Sequence, residues 1–514
     1  RMVPCPVPSG SYRDLAVVKD GVVWIEVADR GGELGATRAG VTGEAPSDVL
    51  WHYNLSARHL DKLCERVDTF SVSGDGERLV VRHRDDIIVV PSSHKVDGDD
   101  PACIRVDLTR MRRTVNPRAE WRQMFDENGR LMASHYWRED MNGVDWDGVL
   151  NRYRPLVDLC HVVDDLHDIL WETVAELNTS HSYVSASGAA GDSDMRAGLL
   201  GADVSSGDDG ARVVRVIPGE SSDPRAWSPL RAAGVAVTEG DVIVAVDGRK
   251  VGADGNLGEL LEGSAGRVVE LTVRRGENER QVAVVPMADE APLRYHDWVA
   301  SRRRYVEEHS GGRLGYLHVP DMVSDGWAEL HRQIGEATRH EGVIADVRFN
   351  HGGHTSQLVV ERLARRVVGW DYSRWYTTAD TYPQNAVRGP IVMVTNQWAG
   401  SDGDIVAAAT QAMGYAKVIG ERSWGGVVGI DGRFDLVDGT SVTQPRYAGW
   451  YGSYGWGVEN HGVDPDIVVT VSPEDWEADR DVQLDAAIAE CLRQLDDKPA
   501  ATAPELPGPA FGRR

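Results

Sequence analysis

The chain has 514 residues, length for roughly three or four domains. Its 80 Asp and Glu outnumber 55 Lys and Arg, giving a net charge of −25, which argues against nucleic acid or an anionic membrane as partner. No apolar run is long enough to span a bilayer and no signal peptide is visible. The first residue is Arg1, so the sequence reads as part of a longer chain, with any upstream targeting information outside it. Cys5, Cys64, Cys103, Cys160 and Cys491 are odd in number and scattered, which fits a reducing cytoplasm rather than a disulfide framework or zinc site. There is no His-Glu-x-x-His either, so neither metal nor cofactor is expected.

Residues 1–106 read as β structure. Val17-Val18 and Val22-Val23-Trp24-Ile25 flank Lys19-Asp20-Gly21, a hairpin signal. Phe70–Ser73, Leu79–Val81 and Ile87–Val90 repeat the pattern around Gly74-Asp-Gly76. Strands with Asp-Gly turns look like one or two blades of a β-propeller, with a small β-sandwich as the alternative. Residues 107–190 switch to helical period. Trp121, Met124, Phe125, Leu131, Met132 and His135 mark one face, and Val157, Cys160, Val163, Leu166, Leu170 and Val174 another. Asn128-Gly129 interrupts the first helix, where a glycine costs about 1 kcal/mol. The second helix runs out near Leu177, and Ser180-His181-Ser182-Tyr183 follows.

After a small-residue linker, 184–194, a β-rich module occupies residues 191–290. Its centre is Gly234-Val-Ala-Val-Thr-Glu-Gly240-Asp-Val-Ile-Val-Ala-Val-Asp247-Gly248, which resembles a PDZ domain. Leu199-Leu-Gly201-Ala202 resembles the loop that receives a peptide C-terminus in such domains. That implies peptide binding by strand addition, or a module used only as a spacer. Residues 291–497 alternate strand and helix, the pattern of an α/β sheet. Leu314–Val319 and Gly342–Phe349 read as strands, Trp327–Ala337 and Ser356–Arg366 as helices, and Asp481–Leu495 as a C-terminal helix. Residues 498–514, Pro-rich and poor in apolar groups, read as a disordered tail.

Within the α/β part, Pro390–Thr395 is a buried-strand pattern and Ile405–Met413 a helical one, with Asn396-Gln-Trp-Ala-Gly400-Ser401-Asp402 as the turn between. A serine there lies at the end of the sheet beside a helix N-terminus, where free N–H groups favour developing negative charge. The plainer reading is a helix N-cap. Asn350-His351-Gly352-Gly353 follows another strand and offers close backbone approach and N–H donors. His181 is a candidate general base, with Ser180 beside it and Glu459 as a carboxylate that orients the imidazole directly or through a hydroxyl. Spacing alone does not join these residues.

The ordered motifs Glu176-Leu-Asn-Thr-Ser-His181, Asp346-Val-Arg-Phe-Asn-His-Gly-Gly353, Asn396-Gln-Trp-Ala-Gly-Ser-Asp-Gly403 and Val458-Glu-Asn-His-Gly-Val-Asp-Pro-Asp466 do. With Val115–Trp121 and Gly143–Trp146 upstream, the chain resembles the C-terminal half of a tricorn protease. The resemblance implies a multidomain fold of mixed α/β and β character: a partial β-propeller, a helical subdomain, a PDZ-like domain and a crotonase/Clp-like α/β catalytic domain. It implies a cytoplasmic serine endopeptidase of oligopeptides or unfolded segments. Ser401 matches its nucleophile, His181 the base, Ser180 and Glu459 the orienting groups, and Gly353 with Asp402 the oxyanion hole. Asp371 matches an acidic residue that favours basic P1 side chains. Hexameric assembly of the intact protein and downstream aminopeptidases are the partners implied.

The related C-terminal processing peptidases use a Ser–Lys pair, with the lysine in a Gly-Lys-Gly motif. The equivalent stretch here is Gly420-Glu-Arg-Ser-Trp-Gly-Gly426, with Gly426 at the lysine's place and Lys417 before the strand. Two further alternatives are a PDZ peptide-binding scaffold without activity and a crotonase-type enzyme acting on a thioester.

Overall fold

The computed structural model describes residues 7, 10–28, 47–187, 195–252, 256–375 and 377–506. The chain divides into two units: Arg1–Thr114 with Leu199–Leu257 and Arg267–Leu293, and Val115–Gly198 with Gly258–Gly266 and Arg294–Arg514. The later parts of the linker and of the tail, 188–194 and 507–514, lie outside the described residues, as does Cys5.

In the first unit, residues 12–105 form two four-stranded antiparallel sheets, each built of consecutive strands, as two propeller blades would be. Their inward positions, among them Val23, Ile25, Leu50, Leu79 and Val81, make one apolar cluster. The PDZ-like part is a six-stranded antiparallel sheet around Val242–Val246. Its expected peptide-receiving loop is already engaged. The Gly201 N–H donates to the Glu290 carboxylate at 2.7 Å, and Leu199 exchanges backbone hydrogen bonds with Met287.

In the second unit, three helices follow where two faces are legible: Pro117–His135, Trp146–Val157 and Val163–Ala175. Val157 ends the middle helix and Cys160 lies in the link before the last, where Asp165 caps the restart by accepting from the N–H groups of His161 and Val162. Asn128-Gly129 does not interrupt the first helix, which runs unbroken through both. The missing side chain admits the neighbouring helix: a Cβ on Gly129 would lie 2.9 Å from a Leu150 methyl, and Trp146 donates its indole N–H to the Gly129 carbonyl at 3.0 Å.

The rest of the second unit is built on a five-stranded parallel sheet. Its strands lie in sequence order: Leu314–His318, Gly342–Asp346, Ile391–Thr395, Ala416–Gly420 and Ile467–Val468. The first three are buried at every position, as a sheet covered on both faces requires. Alternate residues divide between two cores. Val343, Ala345, Ile391 and Met393 join Leu330, Ile334 and Val406 from the helices Ser324–Ala337 and Asp402–Met413. Ile344, Val392, Val394 and Ile419 pack with Val299 and Val306 of Ala291–His309 and Leu484 and Ile488 of Val482–Asp497. The tail departs from the disordered reading as far as 506. It runs without regular structure, but Ala501 donates its N–H to the Arg388 carbonyl at 2.8 Å, and the Tyr372 hydroxyl donates to the Pro504 carbonyl.

At the carboxyl end of Gly342–Asp346 a buried charge cluster fixes the outgoing loop. Arg348 forms a fork on Asp346 (2.7 Å) and on Asp481 (2.8 and 3.0 Å), and the Tyr316 hydroxyl donates to Asp346 at 2.9 Å. Burial alone would push the Asp346 carboxyl up, but Arg348 wins and holds it below its usual range. Its share of stability is therefore present above the ordinary Asp range and is lost as pH falls through the lowered folded value. Arg348→Met leaves the buried Asp346 carboxylate without a cation, while Asp481 keeps Arg302 at 3.2 Å. Denaturant unfolding at neutral pH is expected to show a loss of about 3–5 kcal/mol, shrinking as the pH is lowered.

Candidate active site

The strand Ile391–Thr395 delivers the chain to a turn whose last residue, Ser401, precedes the helix Asp402–Met413. Ser401 has φ +59° and ψ −120°, a conformation rare for a residue with a side chain, and its hydroxyl makes no capping bond. Its position is that of an N-cap; its side chain does not act as one. Strain of this kind persists only where neighbours enforce it, and several do. The Gly400 N–H donates to the Asn350 carbonyl at 3.0 Å, and the Ser401 carbonyl accepts from Asp404 and Ile405 at 2.9 and 3.1 Å. Asp402 turns its buried carboxylate away, accepting from the Ser356 N–H (2.9 Å) and hydroxyl (2.7 Å).

Gly352 and Gly353 face this turn. Asn350, fully buried, places them: its Nδ2 donates to the Val319 carbonyl at 2.7 Å and its Oδ1 accepts the Gly352 N–H at 2.9 Å. Gly352 has φ +77°, and a Cβ there would stand 2.5 Å from the Ser401 Cβ. The neighbouring backbone forms a parallel bridge with Met322, in which the Gly352 carbonyl and the His354 N–H are engaged, each at 2.8 Å. Strand alternation then points the Gly353 N–H the other way. Among the described residues neither it nor the Asp402 N–H at the helix start has a protein acceptor. Two free donors therefore flank the serine, which is how a site holds negative charge on oxygen.

His181 lies on the segment after the helical subdomain, at φ +60°. Thr443 pins the segment, its hydroxyl donating to the His181 carbonyl and accepting from the Tyr183 N–H. Val184–Ser185 pairs with Ser441–Val442 just beyond. The imidazole Nδ1 is 2.8 Å from the Val428 carbonyl. A carbonyl only accepts, so Nδ1 carries the proton and Nε2 keeps its lone pair. The ring is held edge-on by Tyr183 and Trp424, at centroid distances of 5.7 and 5.3 Å.

Glu459 reaches the imidazole by neither of the expected routes. It accepts from the Ser180 N–H (2.7 Å), the Ser180 hydroxyl (3.0 Å), and the N–H groups of Val427 (2.8 Å) and Val428 (3.0 Å). Its bonds thus hold the residue before His181 and the segment whose carbonyl meets Nδ1. Trp424 links this half of the site to the serine turn. Its N–H donates to the Ala399 carbonyl at 2.9 Å, and a Cβ on Gly400 would lie 2.7 Å from its ring. No hydrogen bond joins the Ser401 hydroxyl to His181 in this structure.

Three family models match the chain: the tricorn protease C1 domain over residues 117–175, the tricorn protease PDZ domain over 198–289, and peptidase family S41 over 313–469. Tricorn protease homolog 1 of Streptomyces coelicolor is 55% identical over 512 residues, 99% of this chain and 48% of that protein. The tricorn protease of Thermoplasma acidophilum is 34% identical over 496 residues, 96% of this chain and 45% of that protein. A crystal structure of the tricorn protease superposes with a TM-score of 0.86 at 32% identity, covering 96% of this chain and 47% of that one. The chain is similar to tricorn proteases over nearly its whole length. It spans about half the length of the curated relatives it matches.

Of the residues that the tricorn resemblance singles out, Ser180 and Glu459 bond directly, and His181 joins them through Val428. Ser401, Gly353 and Asp402 form the other cluster, with Trp424 between the two. Asp371 stands apart. It is exposed on a two-stranded ribbon, opposite Asp380, with no ion pair among the described residues, and Arg374 lies over the Trp375 ring instead. Sequence reasoning did not reach Asn350, Asp404, Thr443 or the Val428 carbonyl. Asn350 lies inside a quoted motif and could have been read as a turn-former; a backbone carbonyl leaves no signal. Gly352→Ala forces a left-handed backbone on a residue with a Cβ and drives that Cβ into Ser401. A stability loss of about 1–3 kcal/mol is expected in denaturant unfolding.

Proposed function

We propose that this chain carries a serine peptidase site that hydrolyses oligopeptides or unfolded segments through an acyl-enzyme. The observation that carries the reading is the backbone of Ser401, strained at φ +59° and with its hydroxyl spared from capping, beside two unengaged N–H groups. Ser401 Oγ attacks the peptide carbonyl and His181 Nε2 takes its proton. The tautomer set by Val428 leaves Nε2 free for that role. The Gly353 and Asp402 amides receive the oxyanion, the protonated imidazole returns its proton to the leaving amine, and water enters by the same route in reverse. Ser180 and Glu459 keep the base's main chain and its carbonyl partner in place.

A Ser–Lys mechanism fits less well. Lys417 pairs with Asp466 at 3.2 Å and is half exposed, while the lysine's place in the related family is taken by the buried Gly426. A scaffold without activity leaves the strained serine unexplained, and a thioester-acting enzyme needs no serine at this turn. Cytoplasmic location, hexameric assembly of the intact protein and delivery of products to aminopeptidases are further parts of the proposal. They rest on the tricorn likeness alone.

Ser401→Ala is expected to lower kcat by up to ~10⁶ with the fold intact, and His181→Ala nearly as much. The double variant should add little, because the two act as a unit. Peptide turnover and fluorophosphonate labelling followed by mass spectrometry read both. Label absent from Ser401, or losses that multiply, would falsify the assignment.

The P1 preference is a separate proposal, resting on Asp371. Asp371→Asn is expected to lower kcat/KM for arginine and lysine P1 peptides by roughly 10- to 100-fold while leaving leucine P1 peptides unchanged, the loss of one charge-assisted contact. Equal loss on both series would indicate a folding defect, and no loss on either would remove Asp371 from the specificity pocket.

A further inference from the structure

The stretch Ser423–Val428 contains a tryptophan that nothing in the tricorn resemblance assigns. The Trp424 indole is 48% exposed, an unusual amount for so large a ring at the centre of a site. Its seat is nevertheless closely built. A Cβ on Gly400 would meet ring atom Cε3 at 2.7 Å, and a Cβ on Gly426 would meet Cζ3 at 2.2 Å. Two glycines thus make room for the ring, one in the serine turn and one in its own loop. On its remaining side the indole stands edge-on to His181, with centroids 5.3 Å apart and planes at 66°. Its backbone cannot drift, because the N–H groups on either side of the seat are anchored: Trp424 on Ala399, and Gly425 and Gly426 on the buried Asp404 carboxylate (2.8 and 3.3 Å).

We propose that Trp424 is a positioning residue for the reaction: its indole, wedged between the Gly400–Ser401 turn and the His181 ring, sets the distance and angle between nucleophile and base. The inference rests on the serine peptidase reading above. The Val428 carbonyl fixes only one atom of the imidazole, Nδ1, and leaves the ring free to swing about that bond. An aromatic edge against the ring removes that freedom. Tyr183 also stands edge-on to the imidazole, but among the described residues its ring contacts are to His181 and Trp171, not to the serine turn. Trp424 is the side chain that touches both halves.

The test uses the full chain and reads kcat and KM on one fluorogenic peptide, and the rate of fluorophosphonate labelling at Ser401. Trp424→Ala is expected to lower kcat and labelling roughly 10- to 100-fold, the effect of a misplacement of about 1 Å, with KM changed by less than about threefold. Trp424→Phe, which keeps an aromatic edge, should recover most of the loss. Gly426→Ala, which drives a methyl into the indole seat, should lower labelling as Trp424→Ala does. It keeps the test open if Trp424→Ala fails to fold by circular dichroism. In a His181→Ala background Trp424→Ala should cost nothing more, since it acts through the base. The proposal is overturned if the loss lies wholly in KM with labelling unchanged, which would make Trp424 a wall of the substrate cleft. It is overturned equally if the loss persists undiminished without His181, or if Gly426→Ala labels like the parent chain. Failure of the parent chain itself to label would strike the serine peptidase reading; a parent chain that labels while the variants label equally strikes only this inference.

Discussion

Five consecutive backbone N–H groups, from Trp424 to Val428, are each held by an acceptor outside their own segment. Trp424 donates to the Ala399 carbonyl, Gly425 and Gly426 to Asp404, and Val427 and Val428 to Glu459. The segment belongs to no sheet of the unit, so nothing repetitive supports it. Two carboxylates do the work that a neighbouring strand would do elsewhere. Asp404 sits in the first turn of the helix that follows Ser401, and Glu459 binds Ser180 as well as the segment. One backbone strap thereby inherits the coordinates of the Ser401 helix at one end and of the His181 segment at the other. The imidazole partner, the Val428 carbonyl, is the last residue of that strap.

The serine side has a different kind of support. Ser401 and the glycine pair leave the carboxyl ends of adjacent parallel strands, Ile391–Thr395 and Gly342–Asp346, where an α/β sheet opens its crevice. Rigidity comes from buried polar groups placed just past the strand ends. The Asp346–Arg348–Asp481 cluster holds the first part of the loop and Asn350 the second, and Asn396 accepts from the Phe349 N–H at 3.0 Å across the two. Asp346, Arg348, Asn350 and Asn396 are buried, so each is costly unless paired, and each has a hydrogen-bonded partner. The strain at Ser401 is stored against this network rather than in the turn itself.

The layers of the molecule were legible in the sequence to unequal depth. Short β-branched runs between turn residues marked the parallel strands, Pro390–Thr395 within one residue and Gly342–Phe349 three residues too long at its end, because both faces of that sheet are buried and leave no polar interruption. Helical period located the helical subdomain but blurred two helices into one, since Val157 and Cys160 continue the apolar spacing across a non-helical link. Gly129 misled because glycine in a helix has two meanings, a break or a close approach, and only the neighbouring helix decides. At the site, Ser401 announced itself by the strand-turn-helix pattern. His181, Ser180 and Glu459 did not, and only the family resemblance joined them across nearly three hundred residues. Main-chain acceptors such as Val428 are beyond the reach of any residue pattern.

What the sequence does carry at Glu459 and Asp404 is chemical necessity, once the donors are known. Ser180 N–H, Ser180 hydroxyl, Val427 N–H and Val428 N–H all present hydrogens to Glu459. The Ser423 hydroxyl and the N–H groups of Gly425 and Gly426 do the same to Asp404. An ionised carboxylate is the side chain with acceptors only, and enough of them for such convergent donors. An amide of the same shape would turn an NH₂ toward at least one of them, leaving two donors face to face in a partly buried site. Burial pushes the Asp404 carboxyl upward, against hydrogen bonds that favour its charged form, so the strap depends on a charge held where solvent contributes little. The negative charge at Glu459 therefore has a use even without touching the imidazole: it fixes the tautomer at one remove, by fixing the carbonyl to which Nδ1 must donate.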